Sequence, residues 1–188
     1  MASSDVCSLG IGRTFQNLRL FGHMSVLENV LVGLHPHLTS GITASILSTS
    51  SSKAEEIAAR TEAMTLLRFV GLDSRAHVPA GSLPYGLQRR LEVARALATH
   101  PKLLLLDEPA AGLNPQETKE LVDLIRQISN LGITVMLIEQ HMDLVMAVSD
   151  HVVVLDHGEK IAEGAPKSVQ TDAPVIKAYL GDDEEEEA

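Results

Sequence analysis

The sequence predicts an α/β fold, and three observations carry that prediction. An apolar run, Leu103 to Leu106, ends in the adjacent carboxylates Asp107 and Glu108. Behind it comes Pro115 to Asn130, whose Leu121, Leu124, Ile125 and Ile128 fall on one helical stripe. Two further apolar, β-branched runs follow, with a short helical stretch between them. A continuous apolar run suits a strand covered on both faces. Strand, helix, strand, helix and strand in that order is the alternation of an α/β sheet.

The elements follow in order along the chain. Val26 to Leu34 and Lys53 to Val70 read as helices, separated by a Ser/Thr-rich stretch whose STSSS at 48 to 52 reads as a loop. A helix beginning near Gln88 closes this part, so residues 22 to 98 are expected to be mostly helical and set apart from the α/β half. Pro101 and Lys102 open the first strand of that half. Asn114 is the expected N-cap of the next helix, with Pro115 at its first position and Gly132 as its stop. Ile133 to Glu139 reads as a strand, Met142 to Val148 as a short helix and His151 to Leu155 as another strand. A hairpin is expected around Asp156-His157-Gly158, with Lys160 to Ala162 returning and Pro174 to Leu180 as the last helix. Four segments result: 1–21, 22–98, 99–181 and an acidic, solvated tail at 182–188.

Composition narrows the function classes. A chain of 188 residues with 45% hydrophobic content buries one main core and a small satellite. The net charge is −10, and the run Asp182 to Glu187 supplies six of those charges. There is no basic excess and no interleaving of aromatic and basic residues, so no nucleic acid partner is expected. The single cysteine, Cys7, forms no internal disulfide and fits a reducing compartment. No apolar run approaches the roughly 20 residues that span a bilayer. The opening MASSDVCSLG has neither the basic start nor the apolar stretch of a signal peptide. A cytoplasmic chain is the expectation.

An apolar parallel strand delivers the carboxylate at its end to the carboxyl edge of the sheet, where ligands bind in open α/β folds. Asp107 is placed there for a metal and Glu108 for a reacting water, the roles that paired acids take in phosphoryl transfer. Two acids at a strand end can equally do no more than cap the next turn.

The neighbouring motifs decide between these. LLLLDEP at 103–109, AGLNP at 111–115, IEQH at 138–141, RTFQ at 13–16 and LPYGLQRRLEVARAL at 83–97 stand in the order of the landmarks of the ATP-binding cassette family, which the chain resembles. In that family they are the hydrophobic run with its DE pair, the D-loop, the switch histidine, the Q-loop and the signature with its helix. Over Leu9 to Gly181 the chain is similar, more narrowly, to the ATPase subunits of branched-chain amino acid importers. The resemblance implies a P-loop NTPase-type cassette with an inserted helical subdomain. It implies Asp107 and Gln16 as Mg²⁺-facing residues, Glu108 as general base, His141 as the switch, and Tyr85 and Gly86 as the signature that meets nucleotide. ATP and Mg²⁺ are the implied cofactors. Transmembrane permease subunits and a second ATP-binding subunit are the implied partners, with the chain peripheral on the inner face of the cell membrane.

Two departures from the family pattern stand out. The phosphate-binding loop GxxxxGK[ST] is absent, and none of the six lysines follows a glycine. That loop's N–H groups and lysine cradle the β- and γ-phosphates, so much of the attraction for nucleotide goes with it. The expectation is a cassette truncated at its N-terminus, of doubtful activity alone, with apolar surface and sheet edges left open to self-association. Its alternative role is a nucleotide-independent interaction subunit docking on a full-length cassette or a membrane partner. In the signature, Leu83-Pro84-Tyr85-Gly86-Leu87 replaces LSGGQ, and Pro84 lacks both the hydroxyl and the N–H of a serine. Gly86 could still present its N–H to phosphate. Arg89 and Arg90 read as solvated helix charges or as phosphate-facing groups, the former being preferred. His35-Pro36-His37 reads as a loop, because no carboxylate or cysteine stands at ligand spacing.

Overall fold

The computed structural model describes residues 3–15, 18–37 and 50–180. The chain forms two compact units that divide between Ile138 and Glu139. In the first, helix α1 (Ser3–Ser8) leads into strand β1 (Ile11–Arg13), then helices α2 (Val26–Leu34), α3 (Ser50–Phe69) and α4 (Tyr85–Leu97). Strand β2 (Leu103–Asp107), helix α5 (Pro115–Asn130) and strand β3 (Thr134–Ile138) complete it.

The three strands pair in parallel in the order β1-β2-β3, so the strand that ends in Asp107 is central. Ile11 lies opposite Leu103, and Leu103 opposite Thr134. Side chains alternate along each strand. Leu104 and Leu106 therefore face the core, at 0% and 1% exposure. The opposite face carries Arg13, Asp107, and the exposed Met136 and Ile138.

The helices of this unit pack on apolar stripes. Val26, Val30 and Leu34 of α2 recur every fourth residue and are all buried, as are Ala59, Ala63 and Leu67 of α3. A capping box starts α2: Ser25 Oγ accepts from the Glu28 N–H at 3.2 Å and Glu28 Oε2 accepts from the Ser25 N–H at 2.7 Å. Gly33 lets α2 meet α4 backbone to backbone, since a β-carbon there would sit 2.4 Å from the Arg95 carbonyl oxygen. Asn29, fully buried, accepts from the Phe21 N–H and donates to the carbonyls of Phe21 and Ser25, which pins the turn before α2.

The second unit holds helix α6 (Met142–Val148), strands β4 (Val152–Asp156) and β5 (Glu159–Gly164), and helices α7 (Pro166–Gln170) and α8 (Ala173–Leu180). β4 and β5 form the expected hairpin. His157 and Gly158 both have positive φ, the pairing a two-residue type I′ turn needs. Val152, Ala162, Val169 and Val175 form its core.

Most elements lie where the sequence places them, and the differences have local causes. Helix α4 begins at Tyr85 rather than near Gln88, because Pro84 brings the φ of −52° that its ring enforces and its carbonyl accepts from both Leu87 and Gln88 at 3.0 Å. Strand β1 has three residues, too few for periodicity to reveal, and exists by pairing with β2. Strand β4 pairs with β5, antiparallel. The Ser/Thr-rich stretch at 38–49 and the acidic tail from 181 onward lie outside the described residues.

Candidate nucleotide site

Asp107 is the last residue of β2, and its carboxylate lies on the same sheet face as Arg13 of the adjacent strand. Register explains the contact: Arg13 is opposite Leu105, two residues short of Asp107 and on the same side of the pleat. Arg13 Nη2 donates to Asp107 Oδ2 at 3.0 Å, with the arginine side chain 55% exposed. An exposed pair of this kind contributes about 0–1 kcal/mol. Its consequence is local charge balance at the strand end.

Glu108 turns the chain off the sheet. Its φ is +43°, in the left-handed region, and Pro109 follows, which makes helical backbone still less comfortable. Its N–H donates to the Ile138 carbonyl at 2.9 Å, so the hydrogen-bond ladder to β3 extends one residue past the strand. Backbone strain of this kind persists only where surrounding structure enforces it, and it gathers at functional sites. Asp107 and Glu108 are therefore adjacent, half-buried and differently directed at the carboxyl edge of the central strand.

The signature residues pack against the segment that follows the acid pair. Tyr85 lies over Gly112, whose own missing β-carbon would stand 3.2 Å from the ring. Gly86 is buried against Glu117, and a β-carbon on it would come within 2.4 Å of Glu117 Oε1. Glu117 and Asn114 form the capping box of α5, Glu117 Oε2 accepting from the Asn114 N–H at 3.0 Å. Pro84 is the N-cap of α4 and makes no side-chain cap bond. Gly86 thus serves the contact between two helix starts.

Arg89 corrects the expectation of a solvated charge. It is 4% exposed, and Glu92, one turn on, is 2% exposed. Arg89 Nη1 donates to the Phe15 carbonyl at 2.8 Å and meets Glu92 Oε2 at 3.4 Å, while Nη2 reaches the Glu108 carbonyl at 3.5 Å. Glu92 Oε1 accepts from the Phe15 N–H at 3.4 Å. Burial raises the Glu92 pKa above the ordinary carboxyl value, opposed by its bond from the Phe15 N–H and by the Arg89 charge. Arg90 is partly solvated, paired with Glu120 and with the Val70 carbonyl. Sequence reasoning missed Arg13, Glu92 and Glu117 at this site. The available signal for Glu92 was an opposite charge three residues from Arg89 on a helix otherwise rich in alanine and leucine.

His141 belongs to the second unit, where it is the N-cap of α6. Its Nδ1 lies 3.0 Å from Glu139 Oε1, the Glu139 side chain being 1% exposed and that of His141 65%. A buried carboxylate on Nδ1 holds the ring. Gln16 lies outside the described residues. His35-Pro36-His37 forms a short 3₁₀ turn, with the His37 ring stacked on His100 at 4.3 Å.

A magnesium ion bound with nucleotide draws one or two carboxylates from protein and its other ligands from phosphate and water. The donor set at the end of β2 fits that pattern. Asp107 offers a partly exposed carboxylate beside a second acid. Among the described residues no three His, Cys, Asp or Glu side chains gather in a closed metal cage. Also among them, no helix is long and apolar enough to cross a membrane.

Comparison with known proteins bears on the family. The family model described as "ABC transporter" matches residues 3–111, and that described as "Branched-chain amino acid ATP-binding cassette transporter" matches residues 159–185. The chain is 44% identical over 183 residues to the high-affinity branched-chain amino acid transport ATP-binding protein LivG of Escherichia coli strain K12, covering 97% of this chain and 72% of that protein. It is 47% identical over 174 residues to the corresponding protein BraF of Pseudomonas aeruginosa, covering 92% of this chain and 68% of that one. A crystal structure of a nucleotide-free ATP-binding cassette from an ABC transporter superposes with a TM-score of 0.77 at 31% identity, over 96% of this chain and 72% of that one. The same cassette type in its ADP conformation gives 0.77 at 30% identity, over 96% and 72%. Strand-end acids, the order of the motifs and these likenesses converge: the chain belongs to the ATP-binding cassette family of ABC transporters.

Proposed function

We propose that the chain is an ATP-binding subunit of an importer for branched-chain amino acids. It works at the cytoplasmic face of the membrane with transmembrane permease subunits and a second cassette. The observation that carries this reading is the pair Asp107 and Glu108 at the carboxyl end of the central parallel strand, with Glu108 held at positive φ. The names of the relatives LivG and BraF supply the transported class.

Bound Mg²⁺ and ATP supply a γ-phosphoryl group and the cation that offsets its charge. Asp107 would hold the cation, in exchange for its exposed pairing with Arg13, which is worth little. Glu108 takes the proton of the attacking water. Its backbone position is held by the bond to the Ile138 carbonyl. His141, its Nδ1 engaged by Glu139, is carried over from the IEQH motif as the residue that would offer Nε2 to phosphate. Tyr85 and Gly86 form the signature that faces the nucleotide of the second cassette. Gln16 is carried over from the RTFQ motif, facing Mg²⁺.

A second reading has one observation in its favour. Asp107 is paired with Arg13, a balanced arrangement that needs no metal, as an interaction subunit acting without nucleotide would have. Uptake of labelled leucine separates the two, in cells that keep the permease and binding protein but lack their own cassette subunit. The first reading expects uptake to return with the chain and to be lost with Glu108→Gln. Retention of the chain on those membranes with no gain in uptake supports the second, and neither retention nor uptake contradicts both.

A further inference from the structure

The second unit has a cleft of its own, built from residues that the strand-end acids and the signature do not use. Its volume is about 370 Å³, and Asp156, His157, Ile161, Pro174, Lys177 and Ala178 line it. That lies at the small end of the roughly 300–1,000 Å³ of ligand clefts. Local structure brings these residues together. Asp156 ends β4, and the turn at His157-Gly158 carries the chain straight back into β5. Val154 pairs with Ala162 but Leu155 with Lys160, so Ile161 is the extra residue of a β-bulge. Bulges re-aim side chains, and the bulged residue here lines the cleft. Pro174, Lys177 and Ala178 stand at i, i+3 and i+4 of α8 and so share one of its faces.

The lining narrows the chemistry of a ligand. The hairpin brings a carboxylate, Asp156, and α8 brings an ammonium, Lys177. Ile161, Pro174 and Ala178 add aliphatic surface. A purely anionic ligand meets a like charge at Asp156, and a purely cationic one meets a like charge at Lys177. A small molecule with both charges and an aliphatic arm suits all three features. Lys177 has an interaction of its own, but an ammonium carries three donors, so a ligand carboxylate can share it. We propose that this cleft binds a free α-amino acid with an aliphatic side chain. The ligand ammonium lies at Asp156, its carboxylate at Lys177 and its side chain against Ile161, Pro174 and Ala178. That this ligand belongs to the transported class rests on the function proposed above, whereas the site rests on its lining.

The test is a titration of the full chain with L-leucine, read by amide chemical shifts in NMR. Saturable shifts are expected at residues 156–161 and 175–178, with a Kd of about 1 mM. On the same wild-type chain, 4-methylpentanoate lacks the ammonium and 3-methylbutylamine lacks the carboxylate. Each should bind about fivefold more weakly or worse, the scale of one exposed charge pair. Glycine, without the aliphatic arm, should bind about tenfold more weakly. Asp156→Asn should weaken leucine about fivefold and leave 4-methylpentanoate no weaker. Lys177→Gln should weaken leucine likewise and leave 3-methylbutylamine no weaker. The analogues make the same point without substitution, so the outcome does not depend on either variant folding. Absence of saturation up to about 20 mM leucine, analogues that bind as well as leucine, or variants indifferent to the lost charge overturn the proposal. None of these readouts passes through ATP or a permease. Failure of leucine uptake would contradict the proposed function and leave the cleft standing, and failure of binding would remove the cleft and leave the uptake test intact.

Discussion

Gly86 stands where a side chain has no space, and the atom it would strike is a carboxylate oxygen that also caps the next helix. Gly86→Ala is expected to push Glu117 from its capping box and cost about 0.5–2 kcal/mol, read from urea unfolding midpoints. At Arg89 the expected cost is larger. Arg89→Met strands a buried carboxylate and should lose about 3–5 kcal/mol, whereas adding Glu92→Leu should restore much of that. Equal losses for the single and double variants would contradict the pairing. Glu92 also gives a pH signature. Its folded pKa is raised above the ordinary value by burial, so the folded chain holds this proton more tightly than the unfolded one. The stability it contributes is complete below the unfolded value and is lost as pH rises through the folded one. Wild-type stability should therefore fall relative to Glu92→Gln as pH increases from about 4.5, and parallel curves would refute it. Asp107 and Glu108 were readable in the sequence because a strand end announces itself by composition. Arg89 was not, since its partner Phe15 lies 74 residues away and nothing local distinguishes a buried arginine from a solvated one.

Helices α2 and α4 touch at Gly33, with the Arg95 carbonyl and the Ala98 β-carbon too near for a methyl group. Gly33→Ala gains helix propensity but must part the two helices, and the net expectation is a loss of about 1–3 kcal/mol in chemical denaturation. A gain in stability would mean that the helices separate freely. At this scale long amphipathic elements were legible: α5 has its N-cap, its proline and its apolar stripe in plain order, and the hairpin turn is written in Asp156-His157-Gly158. Strand β1 was not legible. It is held by pairing to β2 and by the Thr14 N–H donating to the Leu105 carbonyl at 3.0 Å, long-range bonds that three residues of pattern cannot encode.

On the scale of the whole chain, family and fold were legible because five motifs keep their order across 188 residues. The site was legible only in part. Asp107 and Glu108 were marked by the strand before them, while the arginine that meets Asp107 comes from a strand the pattern did not reveal. In the proposed reading, Asp107 at the strand end would meet nucleotide through Mg²⁺. The most direct measurement is equilibrium binding of labelled ATP with Mg²⁺ to the chain carrying Glu108→Gln, which blocks turnover. The account predicts saturable binding with a Kd of about 0.1–1 mM that disappears when Asp107→Ala is added. Absence of saturation up to about 10 mM, or binding indifferent to Asp107→Ala, would contradict it.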